Sequence, residues 1–404
     1  MFVAGKTAGG VRPAGTNGTP SSSRDRLPRI SIVAPSLAIL GGHGVAAQLL
    51  ISALRADGYD VDLLPINPPL PAALAWVRRI RVVRTVVNQL LFLPSLRHLS
   101  RVDVVHVFSA SYWSFLLAPA PTMLAGRLFR KRLVLHYHSG EAADHLENWG
   151  VLVHPWLRLA DEIVVPSAFL QRTFAKHSYP TTVIQNFIDA TQFTFRERGQ
   201  LGPHLLSTRN LEPHYAVATT LQAFKLIKAR CPDATLTVAG TGSEAVRLCQ
   251  IAEVLRLEGV RFAGRIEQED MPGLCAAADV FVNASVIDNQ PLSILEAFAA
   301  GLPVVTTPTG AIAEMVSDGR TGAIFPPGDP AAMADAVCRL VEQPARVLAL
   351  TTQAREHLRG HVWDALRDSW AAVYDGRPTT GKHARLSDGR VDVMTGQTPG
   401  RSPS

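Results

Sequence analysis

Two carboxylates stand out in the stretch DNQPLSILEAFAAGLPVVTT, residues 288–307: Asp288 and Glu296. Around Glu296 sit Leu292, Ile294, Leu295, Ala297, Phe298, Ala299 and Ala300. Apolar residues on every side of a helix mean burial, and a carboxylate is almost never fully buried without a partner. Glu296 must therefore either meet a buried arginine or point from the helix into a polar cleft. Asp288 lies before Pro291, and proline suits the first helical position, so Asp288 belongs to the loop entering the helix. Both acids can then face whatever lies at the helix N-terminus. Asn289 and Gln290 complete that loop, and the free N–H groups of a helix start attract anions. A carboxylate also accepts two hydrogen bonds from a vicinal diol such as a ribose.

Four other places carry polar chemistry. The glycine turn Gly41, Gly42, His43, Gly44 follows the strand RISIVAP and precedes a helix, which makes an anion site at a helix start or merely a tight turn. Gly240 and Gly242, in TVAGTGSE, pose the same alternatives. In LVLHYHSGE, His136 and His138 share a strand face by the period of two; His138, at the carboxyl end beside Ser139 and Gly140, is expected in a cleft rather than the core. Arg209 follows the strand LLSTRNL. A fixed guanidinium is the natural partner of a diphosphate; the alternative is a surface pair with Glu212.

These residues need a scaffold, and short apolar strands alternating with helical patterns supply one. That alternation is the α/β signature with parallel sheets. One series runs from RISIVAP to TTVIQNF. A polar break, DATQFTFRERGQLGPH, follows, and a second series runs from LLSTRNL to GAIFP. The expected architecture is two doubly wound domains, 28–195 and 196–362, with the cleft between them as the site. HVWDALRDSWAAVY is amphipathic, and a helix at about 363–376 is placed back on the first domain. Residues 1–27 and 377–404 read as disordered tails rich in small and polar residues.

The 404 residues suit two domains, and 47% hydrophobic with 18% charged residues describes a globular chain. The four cysteines show no metal-ligand spacing and read as reduced core thiols, with no structural zinc. No secretory signal or membrane-spanning run is evident, which places the protein in the cytoplasm. The net charge of +6 concentrates in WVRRIRVVRTVVNQLLFLPSLRHLSR, residues 76–101. That stretch suits an amphipathic helix at an anionic inner membrane face, or a half-buried helix with a solvated basic side. It lacks the aromatic interleaving of a nucleic-acid surface.

Taken together and in order, these motifs resemble glycosyltransferase family 4, of the retaining GT-B fold. The most specific part is VIDNQPLSILEAFAAGLPVVTTPTGAIAEMVSDGRTGAIFPPGDPAAMADAV, which matches the family's acid-x7-acid signature and the glycine turn after it. The resemblance covers residues 29–376. It implies sugar transfer from a nucleotide-diphosphate sugar (UDP or GDP) to an acceptor hydroxyl with retention, and no metal or other cofactor. By the same resemblance Glu296 holds the ribose diol and Asp288 the donor sugar. The backbone of Asn289, Gln290, Pro291 and Leu292 lies near sugar and phosphates. Arg209, with Arg265, holds the diphosphate; Gly240 and Gly242 line the donor side; Gly41 to Gly44 meet phosphate or acceptor; His138 lines the reaction centre. The resemblance leaves the acceptor open between a lipid or lipid-linked molecule, a polysaccharide and a small metabolite. Three positions depart from the pattern. The first acid is Asp288 rather than Glu, the lysine after Arg209 is replaced at His214 or Tyr215, and Phe187 stands in the usual Asn-Gly-x-Asp. A GT-B epimerase and a non-catalytic nucleotide-sugar-binding relative are the competing readings.

Overall fold

The structure is a computed structural model that describes residues 26–36, 42–68, 80–198 and 201–378. Two six-stranded sheets form its frame. The first contains β1 (Ile30–Ala34), β2 (Val61–Pro65), β3 (Val104–Ser109), β4 (Arg132–Tyr137), β5 (Glu162–Val165) and β6 (Thr182–Val183), in the order β2-β1-β3-β4-β5-β6. The second contains β7 (His204–Thr208), β8 (Thr235–Ala239), β9 (Val260–Gly264), β10 (Val280–Asn283), β11 (Val304–Thr306) and β12 (Ala323–Ile324), in the order β12-β11-β10-β7-β8-β9. Every pairing is parallel. The central strands are Val- and Ile-rich because helices cover both faces of a parallel sheet; β1, β3 and β10 are buried throughout.

Each sheet has one point where the strand order reverses. In the first, β1 and β3 are neighbours; in the second, β7 and β10. A crevice opens there because the connections after adjacent strands leave to opposite sides. The two crevices supply the walls of one cleft.

The segment between the sheets is more than a polar break. Arg198 is 2% exposed. Its guanidinium donates to the carbonyls of Cys275, Ala278, Ala300, Gly301 and Arg196 at 2.7–3.2 Å. Burial lowers its pKa to about 10. Ala300 and Gly301 follow the helix Leu292–Ala299, so Arg198 caps the negative end of the helix that carries Glu296.

The last helix, Trp363–Asp375, crosses back to the first sheet. Leu366, Trp370, Val373 and Tyr374 share a core with Ile30, Ile32, Val104 and Val134. Trp363 Nε1 donates to Asp57 at 2.9 Å, and Arg132 Nε to the Val373 carbonyl at 2.8 Å. The cysteines depart from the expectation of core thiols: Cys275 and Cys338 are buried, Cys231 is half-buried and Cys249 is exposed. The expected tails lie almost wholly outside the described residues, as do Gly41, Arg78 and Arg79.

Candidate active site

A cavity of about 440 Å³ occupies the cleft, within the range of small-molecule sites. Gly42, His43, His138 and Glu141 line it from the first half of the chain. Arg209, Gly240, Arg265, Asp288 through Ser293 and Glu296 line it from the second.

Glu296 is 4% exposed and meets no arginine or lysine among the described residues. Its hydrogen bond comes from Gln268 Nε2, at 3.0 Å. Burial pushes its carboxyl above the usual glutamate value, against the Gln268 bond and the charge of Arg209. The alternative of an internal salt bridge is thereby removed. Pro291 sits one position earlier than expected, as the N-cap with φ −70° and ψ 126°, and the helix begins at Leu292.

Arg209 and Asp288, at the carboxyl ends of β7 and β10, pair with each other. Arg209 Nη2 lies 2.5 Å from Asp288 Oδ2, and both side chains are 10% exposed. Arg209 also donates to Ser293 Oγ at 3.2 Å and stacks over the Tyr215 ring at 4.1 Å. Tyr215 is one of the two positions that replace the lysine, and its ring fixes Arg209 in place. Removing one partner of a buried ion pair strands the other charge. Arg209→Ala is therefore expected to lower stability by about 3 kcal/mol. The double variant Arg209→Ala/Asp288→Ala should recover most of it in urea unfolding while remaining inactive. A double variant with wild-type turnover would remove Arg209 from the chemistry.

The side chains of Asn289 and Gln290 are committed to the first half of the chain. Asn289 Oδ1 accepts from Ser167 Oγ at 2.7 Å, and its Nδ2 donates to the His138 carbonyl at 3.2 Å. Gln290 Oε1 accepts from the Asn186 backbone N–H at 2.5 Å, and the Gln290 carbonyl accepts from Asn186 Nδ2 at 2.8 Å. The loop entering the helix is a latch between the halves as well as a cavity wall. Phe187, beside Asn186, is buried and packs on Trp363 with ring centroids 5.4 Å apart.

The glycines divide by their surroundings. Gly240 has φ +141°, and a Cβ there would stand 2.1 Å from the Arg209 carbonyl. A Cβ on Gly242 would stand 2.3 Å from the Leu211 carbonyl. Both are required for close backbone approach to the segment carrying Arg209. Gly240 lines the cavity; Gly242 is not among its lining residues. Gly42 lines it as well, whereas Gly44 is buried in the helix Gly42–Ala56. Arg265 lines the cavity and pairs with Glu267 at 2.7 Å.

His138 lines the cavity at one end of a file of rings. It packs 5.2 Å from His43 and 4.0 Å from His136. His136 Nδ1 is hydrogen-bonded to His106 Nε2 at 3.2 Å, and His106 Nδ1 to the Tyr374 hydroxyl at 2.9 Å. Burial lowers the pKa of every histidine in the file: His43 to about 4, His106 to about 3, and His136 and His138 well below 6.5. The rings are neutral at physiological pH.

The family model described as Glycosyltransferase Family 4 matches residues 40–192. That described as Glycosyl transferases group 1 matches residues 202–343. A glycogen synthase of Mycobacterium tuberculosis is 32% identical over 291 residues, covering 68% of this chain and 69% of that one. The chain belongs to glycosyltransferase family 4. A phosphatidyl-myo-inositol mannosyltransferase of Mycobacterium leprae is 23% identical over 382 residues, covering 89% of this chain and 100% of that one. Among solved structures, a sucrose-phosphate synthase from Thermosynechococcus elongatus superposes with a TM-score of 0.68 at 19% identity, covering 86% and 98%. Anabaena HepE in complex with UDP-glucose gives 0.67 at 19%, covering 87% and 100%. These likenesses show the two-domain GT-B fold.

Three residues in or beside the cleft of this family 4 glycosyltransferase were given no role by sequence reasoning: Asn186 and Gln268, which line the cavity, and Ser167, which does not. Gln268, the partner of Glu296, lies in an unremarkable polar turn. Ser167 and Asn186 form the latch only because the fold brings them to residues 289 and 290. Among the described residues, no group of three or more His, Cys, Asp or Glu could hold a metal ion.

Proposed function

We propose that this glycosyltransferase moves a sugar from a nucleotide-diphosphate sugar to an acceptor hydroxyl with retention of configuration, without a metal. The observation that carries this reading is Glu296, a buried carboxylate with no cationic partner among the described residues, which lines a cavity at a strand-order reversal. An ionised carboxylate there offers two acceptor oxygens to a ribose diol. We assign the donor to residues 196–362, and the acceptor to residues 28–195 with the helix at 363–376.

In this reading Arg209, already oriented by Asp288 and Tyr215, stabilises charge developing on the leaving diphosphate together with the N–H groups of the Leu292–Ala299 helix. Asp288 holds the donor sugar. Cleft closure over the latch excludes water. The acceptor hydroxyl attacks from the leaving group's side, and the departing phosphate takes its proton. His138, neutral, lines the reaction centre as a shaped, uncharged wall. The donor is a UDP- or GDP-sugar: HepE was solved with UDP-glucose, and a relative from Mycolicibacterium smegmatis is a GDP-mannose-dependent mannosyltransferase.

Among the described residues, no helix is long and apolar enough to cross a membrane. Yet the helix Arg81–Ser95 exposes Val82, Val86, Leu90 and Leu93. That spacing makes one outward stripe; Arg84 falls on the opposite side of the helix, and Arg97 and Arg101 follow in the short helix Leu96–Arg101. It supports peripheral contact with an anionic membrane at the cytoplasmic face.

Calorimetry with UDP, GDP, UDP-glucose and GDP-mannose tests the reading, followed by proton NMR of the product's anomeric centre. One nucleotide is expected to bind, and the product to keep the donor's configuration. An inverted product would refute retention. Binding without transfer to any acceptor would favour the non-catalytic relative.

A further inference from the structure

An aromatic ledge stands beside the cleft on the acceptor side, and none of the roles above uses it. The connection after β3 runs from Ala110, which lines the cavity, to Tyr112 and Trp113. The connection after β4 runs from Glu141, also in the cavity wall, to Asp144, Asn148 and Trp149. The two connections meet through their rings. Trp113 is edge-on to Trp149 at 5.4 Å, and Tyr112 to Trp149 at 5.5 Å. Trp113 is 65% exposed, a large apolar surface left in water.

The backbone is shaped around this ledge. Tyr112 has φ 57° and ψ −133°, a region that disfavours a bulky side chain. Strain of that kind persists only where the surroundings impose it, and it concentrates at ligand sites. Here the surroundings are visible. The Tyr112 hydroxyl donates to Asp144 Oδ2 at 2.7 Å, and Asn148 Nδ2 donates to Asp144 Oδ1 at 2.7 Å.

From the ledge and its rim we infer that this surface is an acceptor subsite that stacks a neutral sugar ring. The inference rests on the glycosyltransferase reading and names its acceptor class. A sugar's axial C–H groups are polarised by neighbouring oxygens and suit the negative face of an indole. Asp144 and Asn148 keep acceptor lone pairs free for hydroxyl groups. The charge around the ledge rejects the other occupant, an anionic lipid headgroup. Residues 102–126 and 133–157 contain no Lys or Arg, in a chain of net charge +6, whereas Glu141, Asp144 and Glu147 are all present. The basic stretch at residues 81–101 and the acidic ledge therefore attract different chemistry. A glycan with its terminal residue on the ledge reaches the cleft through Ala110 and Glu141.

The test is a titration of the full chain, with UDP present, by maltoheptaose and by α-1,6-mannotriose, read by saturation-transfer NMR and tryptophan emission. One oligosaccharide is expected to bind. Trp113→Ala should weaken it about 10-fold and leave the UDP affinity unchanged. Trp113 is exposed, so its removal leaves the core intact; Trp149→Ala provides a second variant. If UDP binds and neither oligosaccharide does, or if Trp113→Ala binds as tightly as the wild type, the subsite is refuted. If phosphatidylinositol vesicles bind through Trp113 instead, the lipid occupant replaces it. If an oligosaccharide binds through Trp113 and no nucleotide binds, the ledge stands and the transferase reading falls.

Discussion

Glu296→Gln is expected to weaken donor binding and, at the same time, to make the protein more stable at pH 8. Both effects come from one fact: a carboxylate sits buried with a glutamine as its hydrogen-bond partner and, among the described residues, no cation paired to it. A group whose acid value is raised by burial favours the protonated form in the fold. The unfolded chain loses its proton near 4.5, the folded one higher. The fold therefore holds more protons in that window, and stability falls as pH rises through it. Above it the ionised group is a standing cost, which a neutral amide removes.

The binding side has the opposite sign. Each hydrogen bond from a ribose hydroxyl to the ionised carboxylate is worth about 1.5–3 kcal/mol. The amide keeps one acceptor oxygen and loses the charge, so UDP affinity should fall about 10- to 100-fold. Glu296→Ala loses both bonds and should fall about 10³-fold or more. Calorimetry with UDP and urea unfolding at pH 8 measure the two together. If Glu296→Gln loses stability and binding in parallel, Glu296 is a structural residue and the donor lies elsewhere.

Much of this arrangement was legible in the sequence because it depends on chain-local signals. Strand runs such as ISIVA and VVHVFS announce a buried parallel sheet by composition alone. Glu296 was conspicuous because an apolar helix leaves a charge no innocent explanation. What stayed hidden depends on partners far apart in the chain. Arg198 lies in a segment that looks like a linker, yet its guanidinium is filled by five carbonyls around the end of the Glu296 helix. Nothing local distinguishes it from the exposed Arg196 two residues before it. Arg209 was expected to be free for a diphosphate and Asp288 for a sugar; the fold gives them to each other first. The expected glycine contacts at residues 240 and 242 have a steric reason in the backbone of residues 209–211, visible only once β7 and β8 are side by side. The His136–His138 pair was seen on one strand face. Its continuation into His106 and Tyr374 needs the neighbouring strand and a helix that returns from the far end of the chain.

That buried file, together with the separately buried His145, carries the second large expectation: stability should collapse as pH falls below about 6.5. His106, His136, His138 and His145 are 0%, 4%, 7% and 0% exposed. Burial holds His106 down at about 3 and His145 at about 4, and holds His136 and His138 well below 6.5. The groups packed around the first three are Phe108, Trp370, Tyr374 and His43, none of them an acid. Only His145 has a carboxylate near it, Asp144, which works in the opposite direction. In the unfolded chain all four take up a proton near 6.5; in the fold they do not. The unfolded state then binds more protons, so the stability of the neutral rings is complete above that value and is lost as pH falls toward the folded values. Between pH 7.5 and 5.5 each ring loses about 1.4 kcal/mol, and four lose about 5.5 kcal/mol. That is comparable to the whole stability of many domains, about 5–15 kcal/mol. Carboxylates titrate near 4 and cannot produce a loss that begins above pH 6. Urea unfolding at pH 7.5, 6.5 and 5.5 measures it, and His106→Gln should reduce the slope by about one proton. A total change smaller than about 1.4 kcal/mol, one histidine's worth, would mean that the rings reach water or protons without unfolding. Since His138 ends this file in the cleft wall, that result would also make it a candidate proton carrier rather than a neutral wall.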